Sequence, residues 1–270
     1  MNTLDITPEK RRLQQEYDEL KRKFANLMLT FEEMKQQEGP KLGALYLKLF
    51  GNNKYQILNL QVEIKLLEMR KQLLQRYINR DETPDLQKIS SKIEEALSAY
   101  NKILENEAQK LKDAKDYLEA PLLSEAETNE MKSLYHLLVK QLHPDLHPNQ
   151  SEEDKDLFQM VQMAYALGNL EKLREISLAL NAGKLIKKED YGDHLQEYVD
   201  TLKSKVRTLE QKITDLENIF PYNLKEQLFD HSWVEQEQRK DEEMIAQLRE
   251  KRDHLSKIVE VMSEYKTKKL

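Results

Sequence analysis

Three side chains that could carry chemistry lie within five residues of one another: His143, Asp145 and His147. Imidazole and carboxylate groups bind metal ions or transfer protons. A metal site is disfavoured, because prolines on both sides restrict this loop and no third strong ligand has an assignable position. His136 lies two helical turns before His143, which is too far for chelation. We therefore expect no metal, no cofactor and no catalysis by this chain, which leaves recognition as the role of the loop.

Two short amphipathic helices are predicted on either side of this loop, residues 143–150. The first begins at the Ser124-x-x-Glu127 capping box and ends at His143, because Pro144 disfavours helix in the residue before it. The second begins at a similar Ser151-x-x-Asp154 pattern. Each has apolar residues along one face, so we expect the two helices to pack antiparallel and to leave the loop exposed at the tip.

The spacing of aromatic residues around the loop resembles the J domain of the DnaJ co-chaperone family. The resemblance rests on Tyr135 eight residues before His143-Pro144-Asp145, and on the later run Phe158-x-x-Val161-x-x-Ala164-Tyr165. Upstream, Asp116-Tyr117-Leu118 and Leu122-Leu123 lie where the first helix of the family and its following loop would end. The main part of the resemblance covers residues 121–180.

The resemblance implies a function and a set of residues for it. J domains dock on the ATPase of the seventy-kilodalton heat-shock chaperone, the DnaK class, and stimulate ATP hydrolysis. The family pattern then assigns chaperone triggering to His143, Pro144 and Asp145, and docking by a basic helix to Lys132 and Lys140. It also implies a J-like core made of six residues: Tyr135, Leu138, Phe158, Val161, Ala164 and Tyr165.

Departures from the family pattern leave a second function open. Residues 121–180 contain five Lys or Arg and ten Asp or Glu, so attraction to an acidic chaperone surface would be weak. The usual Gly/Phe-rich linker and cysteine-rich zinc module are missing. The alternative is a non-catalytic coiled-coil scaffold or interaction protein with a J-like fold that no longer stimulates a chaperone. Such a protein would bind a helical partner or a second copy through its apolar seams.

Long heptad patterns predict helical arms on both sides of the central unit. One stripe runs from Leu13 to Met34 in steps of three and four, and another runs from Leu195 to Phe220 before Pro221 interrupts it. The predicted fold is all-α, with long antiparallel coiled-coil or helical hairpins flanking a small J-domain-like unit. We expect a helical region at 1–120, the J-like unit at 121–180 and a C-terminal hairpin, folded at Pro221, at 181–270. Periodicity does not decide whether the seams close within one chain or between two.

Composition narrows the class of protein further. Of the 270 residues 34% are charged, none is cysteine, and Gly and Pro total only 6 and 7, which favours long exposed helices. The net charge of −6 disfavours a nucleic-acid binder, a weaker third interpretation. No apolar run approaches the roughly 18 residues of a membrane span. These features predict a cytoplasmic protein that binds neither nucleic acid nor membrane.

Overall fold

The computed structural model describes residues 7–119, 123–148, 150–183 and 194–265, and these residues form an all-α fold without strands. The predicted fold class is thus confirmed. The α-helices are α1 Pro8–Glu33, α2 Gly39–Asn79, α3 Leu86–Glu119, α4 Glu125–Leu142, α5 Glu152–Ala166, α6 Leu170–Gly183, α7 Leu195–Glu217, α8 Lys225–Leu228 and α9 His231–Ser263. A π-helical segment, Met34–Glu38, joins α1 to α2. The backbone is therefore helical without interruption from Pro8 to Asn79.

Side-chain caps fix where the central helices begin. The Ser124 hydroxyl accepts from the Glu127 N–H, and the Glu127 carboxylate accepts from the Ser124 N–H, which completes the predicted capping box. Ser151 caps α5 by accepting from the Asp154 N–H at 3.2 Å. Each cap satisfies an amide that the first helical turn cannot pair, so the boundaries of α4 and α5 follow from the local sequence.

One compact unit combines residues 1–40 with residues 121–223. Helices α1 and α7 run parallel in it, since Lys203 pairs with Glu16 at 2.6 Å and Lys23 pairs with Glu210 at 2.7 Å. Helices α4, α5 and α6 share one apolar core with this pair. The α1 seam therefore closes against α7 of the same chain.

The other compact unit combines residues 41–120 with residues 224–270. In it α2 and α3 form a long antiparallel hairpin, whose core brings together Leu74, Ile89 and Val259. Helix α9 runs parallel to α2, with Lys54 bonded to Asp241 at 2.7 Å and Phe50 edge-on to Trp233 at 5.8 Å. A continuous helix from Gly39 to Asn79 thus has one partner that follows it in sequence and one that comes from the far C-terminus.

The C-terminal region differs from the predicted hairpin of residues 181–270. Helix α7 pairs with α1, and α9 pairs with α2, so each C-terminal helix takes an N-terminal partner. The chain does break near Pro221, as the sequence predicted. An apolar stripe specifies that a helix has a buried face, but its period is the same for every candidate partner. The two units are consequently built from distant parts of the chain, whereas the sequence suggested three consecutive regions.

The helices of the described part differ from membrane-spanning segments. None of them combines the length and the apolar character needed to cross a bilayer.

Candidate functional site

The His-Pro-Asp loop, which we define as residues 143–148, is a compact turn at the end of α4. His143 leaves the helix with extended backbone angles, φ −65° and ψ 127°, as expected before a proline. Its carbonyl accepts from the N–H of Leu146 at 2.9 Å and of His147 at 3.1 Å. The His147 Nε2 lies 2.7 Å from the Lys140 carbonyl, so a protonated Nε2 donates to it. Backbone bonds therefore hold the loop against the last turn of α4.

The imidazole of His143 is enclosed by aromatic rings from two helices. Phe24 of α1 and Phe158 of α5 each place a ring 4.8 Å from it, both nearly edge-on, and His143 is only 8% exposed. Its Nδ1 accepts from the Asp145 N–H at 3.0 Å. Burial lowers the pKa of His143 to about 4, despite the nearby Asp145 carboxylate, which acts to raise it. The ring is thus neutral near pH 7, with an acceptor aimed at the loop backbone.

The carboxylate of Asp145 is held by a lysine from another helix. Lys205 of α7 places its Nζ 2.6 Å from Oδ1 of Asp145, and the two side chains are 40% and 35% exposed. A pair this accessible contributes at most about 1 kcal/mol, because water solvates both ions. The contact therefore orients Asp145 without fixing it permanently.

The predicted exposure of the loop is wrong for two of its residues. His143 is buried by Phe24 and Phe158, and Leu146 is fully buried in the core. Pro144 and Asp145 are half-buried. Helix α1 contributes to the cover of His143 through Phe24, and the sequences of the two flanking helices do not indicate that α1 packs there.

The two lysines expected on the basic face of α4 lie in different surroundings. Lys132 forms an ion pair with Glu33 at the end of α1. Lys140 is half-buried, and its backbone carbonyl receives the bond from His147. On α4, Arg174 from α6 also binds Glu130 through two bonds, of 2.6 and 2.7 Å. Much of the charge on this helix is therefore matched by groups of the same chain.

The six residues expected to form a J-like core are all buried, and none is more than 5% exposed. Tyr135 of α4 and Tyr165 of α5 stack with their ring centroids 4.1 Å apart. Burial raises the pKa of both phenols, so both stay protonated. Packing of these two helices fixes the distance between the ends of the His-Pro-Asp loop.

Two residues that contact the loop were not identified from sequence. Phe24 lies in the predicted α1 stripe, but nothing in the stripe indicates that it faces His143. Lys205 is a surface lysine between the apolar positions of α7, about 60 residues after Asp145. Only the pairing of α7 with α1 brings it to the loop.

The charged group that this site presents at the surface is the half-buried carboxylate of Asp145. The described residues contain no group of three or more side chains arranged to hold a metal ion. Comparisons with models of known protein families, with curated proteins and with solved structures found no match to this chain.

Proposed function

We propose that this protein is a J-domain-like co-chaperone that docks on a DnaK-type ATPase and stimulates its ATP hydrolysis. The observation that carries the proposal is the presentation of Asp145. Its half-exposed carboxylate lies in a turn that Pro144 restricts, and the turn is anchored by the buried His143 ring. A carboxylate held in this way suits a charge-assisted bond to a cationic group of a partner.

The packing of α4 against α5 gives further support. The aromatic residues that the family pattern requires pack together, with Tyr135 on Tyr165 and His143 on Phe158. In this proposal the long helices direct the protein to a client or site. The chain acts on the ATPase of its partner rather than as an enzyme, it works in the cytoplasm, and it needs neither nucleic acid nor membrane.

The experiment is a measurement of ATP turnover by the DnaK-type chaperone of the same source organism, with and without this protein. We expect the wild-type protein to increase turnover, and Asp145→Asn and His143→Gln to abolish the increase. Asp156→Asn is the matched control, because it removes the same charge from an exposed position of α5. No increase with wild-type protein, or an increase that survives Asp145→Asn, would rule out the proposal.

A scaffold without chaperone activity is the second candidate, and it is favoured by the ion pairs within the chain. Lys205 binds Asp145 and Glu33 binds Lys132, so groups assigned to a chaperone already have internal partners. In this case the loop would serve to join α4 to α1 and α7, which would present their outer faces to a helical partner. Asp145→Asn would then lower the thermal stability of the protein, while chaperone turnover would stay at its basal rate with every variant.

A further inference from the structure

The surroundings of the His-Pro-Asp loop contain a contact that opposes docking, if the co-chaperone function proposed above holds. Lys205 of α7 donates a hydrogen bond from its ammonium group to Oδ1 of Asp145 at 2.6 Å. Helix α1 is the source of Phe24, which covers His143, and of Glu33, which binds Lys132. Three of the five residues expected to meet a chaperone are therefore engaged by these two helices.

A partner that uses Asp145 must compete with Lys205 for the same carboxylate. The ion pair is well suited to exchange, because both side chains are more than one third exposed and water can solvate each ion after separation. The neighbouring Lys203–Glu16 pair joins α7 to α1 with similar exposure, 38% and 36%, but involves no loop residue. The loop contact is thus separable from the general pairing of α1 and α7.

We infer that the Lys205–Asp145 ion pair is an autoinhibitory contact, which keeps the His-Pro-Asp loop closed until a chaperone or another partner displaces Lys205. Only the fraction of molecules with a free Asp145 carboxylate is then competent to dock. The concentration of co-chaperone needed for stimulation rises as that fraction falls.

The test compares Lys205→Glu with Lys203→Glu in the full-length protein. Both changes place a carboxylate on α7 opposite an acidic residue, but only the first repels Asp145. We expect Lys205→Glu to lower the concentration for half-maximal stimulation of chaperone ATP turnover by up to roughly fivefold, the largest factor that an ion pair this exposed supplies. Lys203→Glu should resemble wild type.

A second measurement reports the loop directly, independently of any chaperone. Amide hydrogen exchange of Asp145, Leu146 and His147 should be faster in Lys205→Glu than in wild type, and unchanged in Lys203→Glu. If Lys205→Glu fails to fold, Lys205→Gln removes the attraction without adding repulsion, and the same direction of change is expected in both measurements.

The outcomes separate this inference from the function on which it rests. Equal stimulation by wild type and Lys205→Glu would overturn autoinhibition and leave the co-chaperone function standing. Equal activation by Lys203→Glu would also overturn it, because the effect would then come from general loosening of α7. No stimulation by any variant, even with faster exchange in the loop, would reject the co-chaperone function and autoinhibition together.

Discussion

The rings of Tyr135 and Tyr165 stack at 4.1 Å with an interplanar angle of 26°, at the centre of the contact between α4 and α5. Both are almost completely buried, at 0% and 1% exposure. Neither hydroxyl has a hydrogen-bond partner among the described residues. The pair therefore stabilises the two helices through ring packing, and its polar atoms oppose that contribution.

Substitutions at Tyr135 and Tyr165 should accordingly have opposite effects. Tyr165→Phe keeps the ring and removes a buried hydroxyl, so we expect an unfolding free energy equal to wild type or higher by about 1 kcal/mol. Tyr135→Ala removes the ring and should lower the unfolding free energy by about 3–5 kcal/mol. Urea unfolding followed by circular dichroism measures both. A loss above about 1 kcal/mol for Tyr165→Phe would show that its hydroxyl makes a stabilising bond.

The local features of this fold were predictable from sequence, because each depends on residues close together in the chain. The caps at Ser124 and Ser151 and the end of α4 before Pro144 follow from propensities of single turns. The choice of partners was not predictable. Helices α1 and α7 pair over a separation of about 190 residues. A heptad stripe does not specify which other helix will pack against it.

The site was predictable to the same degree. The burial of Phe158 and Tyr165 follows from the amphipathic pattern of α5. The contacts of His143 with Phe24 and of Asp145 with Lys205 require the position of α1 and α7, so the burial of His143 could not be predicted from the loop and its two flanking helices. Long-range pairing therefore decides how accessible the loop is, even though its own residues decide its shape.

Two glycines inside α2 give a test of how its faces are packed. A Cβ at Gly43 would meet nothing within 4 Å, whereas a Cβ at Gly51 would lie 2.1 Å from Cδ2 of Leu111 on α3. Gly43→Ala should raise the unfolding free energy by about 0.5–1 kcal/mol, because alanine loses less backbone entropy in a helix. Gly51→Ala should gain nothing, because Leu111 must leave its rotamer at a cost of about 1 kcal/mol. Thermal unfolding of the two variants measures the difference, and equal gains would contradict the close approach of α3 to α2.

The ion pair between Lys54 and Asp241 is the most buried charge contact of α2 with α9. The Asp241 side chain is 8% exposed, and its second oxygen has no partner in the described part of the chain. Lys54→Met should lower the unfolding free energy by about 2 kcal/mol, because a buried carboxylate loses its counter-ion.

Adding Asp241→Leu to Lys54→Met should recover most of the lost unfolding free energy, since two apolar side chains then replace the ion pair and no unpaired charge is buried. Lys251→Gln is the control, because Lys251 binds Glu68 at an exposed position of the same helix pair, where an ion pair contributes about 1 kcal/mol or less. Denaturant unfolding of the single and double variants measures the coupling. A double variant as unstable as Lys54→Met would show that Asp241 itself is required for packing.

The buried imidazole of His143 should make stability depend on pH in a defined range. Asp145, Lys205 and His147 are the charged or titratable groups that act on it, and burial holds its pKa at about 4 against a usual value of 6.5. The unfolded chain therefore binds a proton on this residue between pH 6.5 and 4, while the folded chain does not. The contribution of His143 to the unfolding free energy is fully present above pH 6.5. It is lost as the pH falls toward 4, by up to about 3 kcal/mol.

The comparison that isolates this effect is wild type against His143→Gln, measured by urea unfolding at several pH values from 7.5 to 4. Glutamine does not titrate, so the variant should lose less stability than wild type over this range, although it starts lower because the contacts with Phe24 and Phe158 are reduced. Carboxylates elsewhere titrate equally in both proteins and cancel in the difference. A difference in stability that stays constant from pH 7.5 to 4 would mean that His143 is accessible to protons in the folded protein. The burial of its ring between Phe24 and Phe158 would then be wrong.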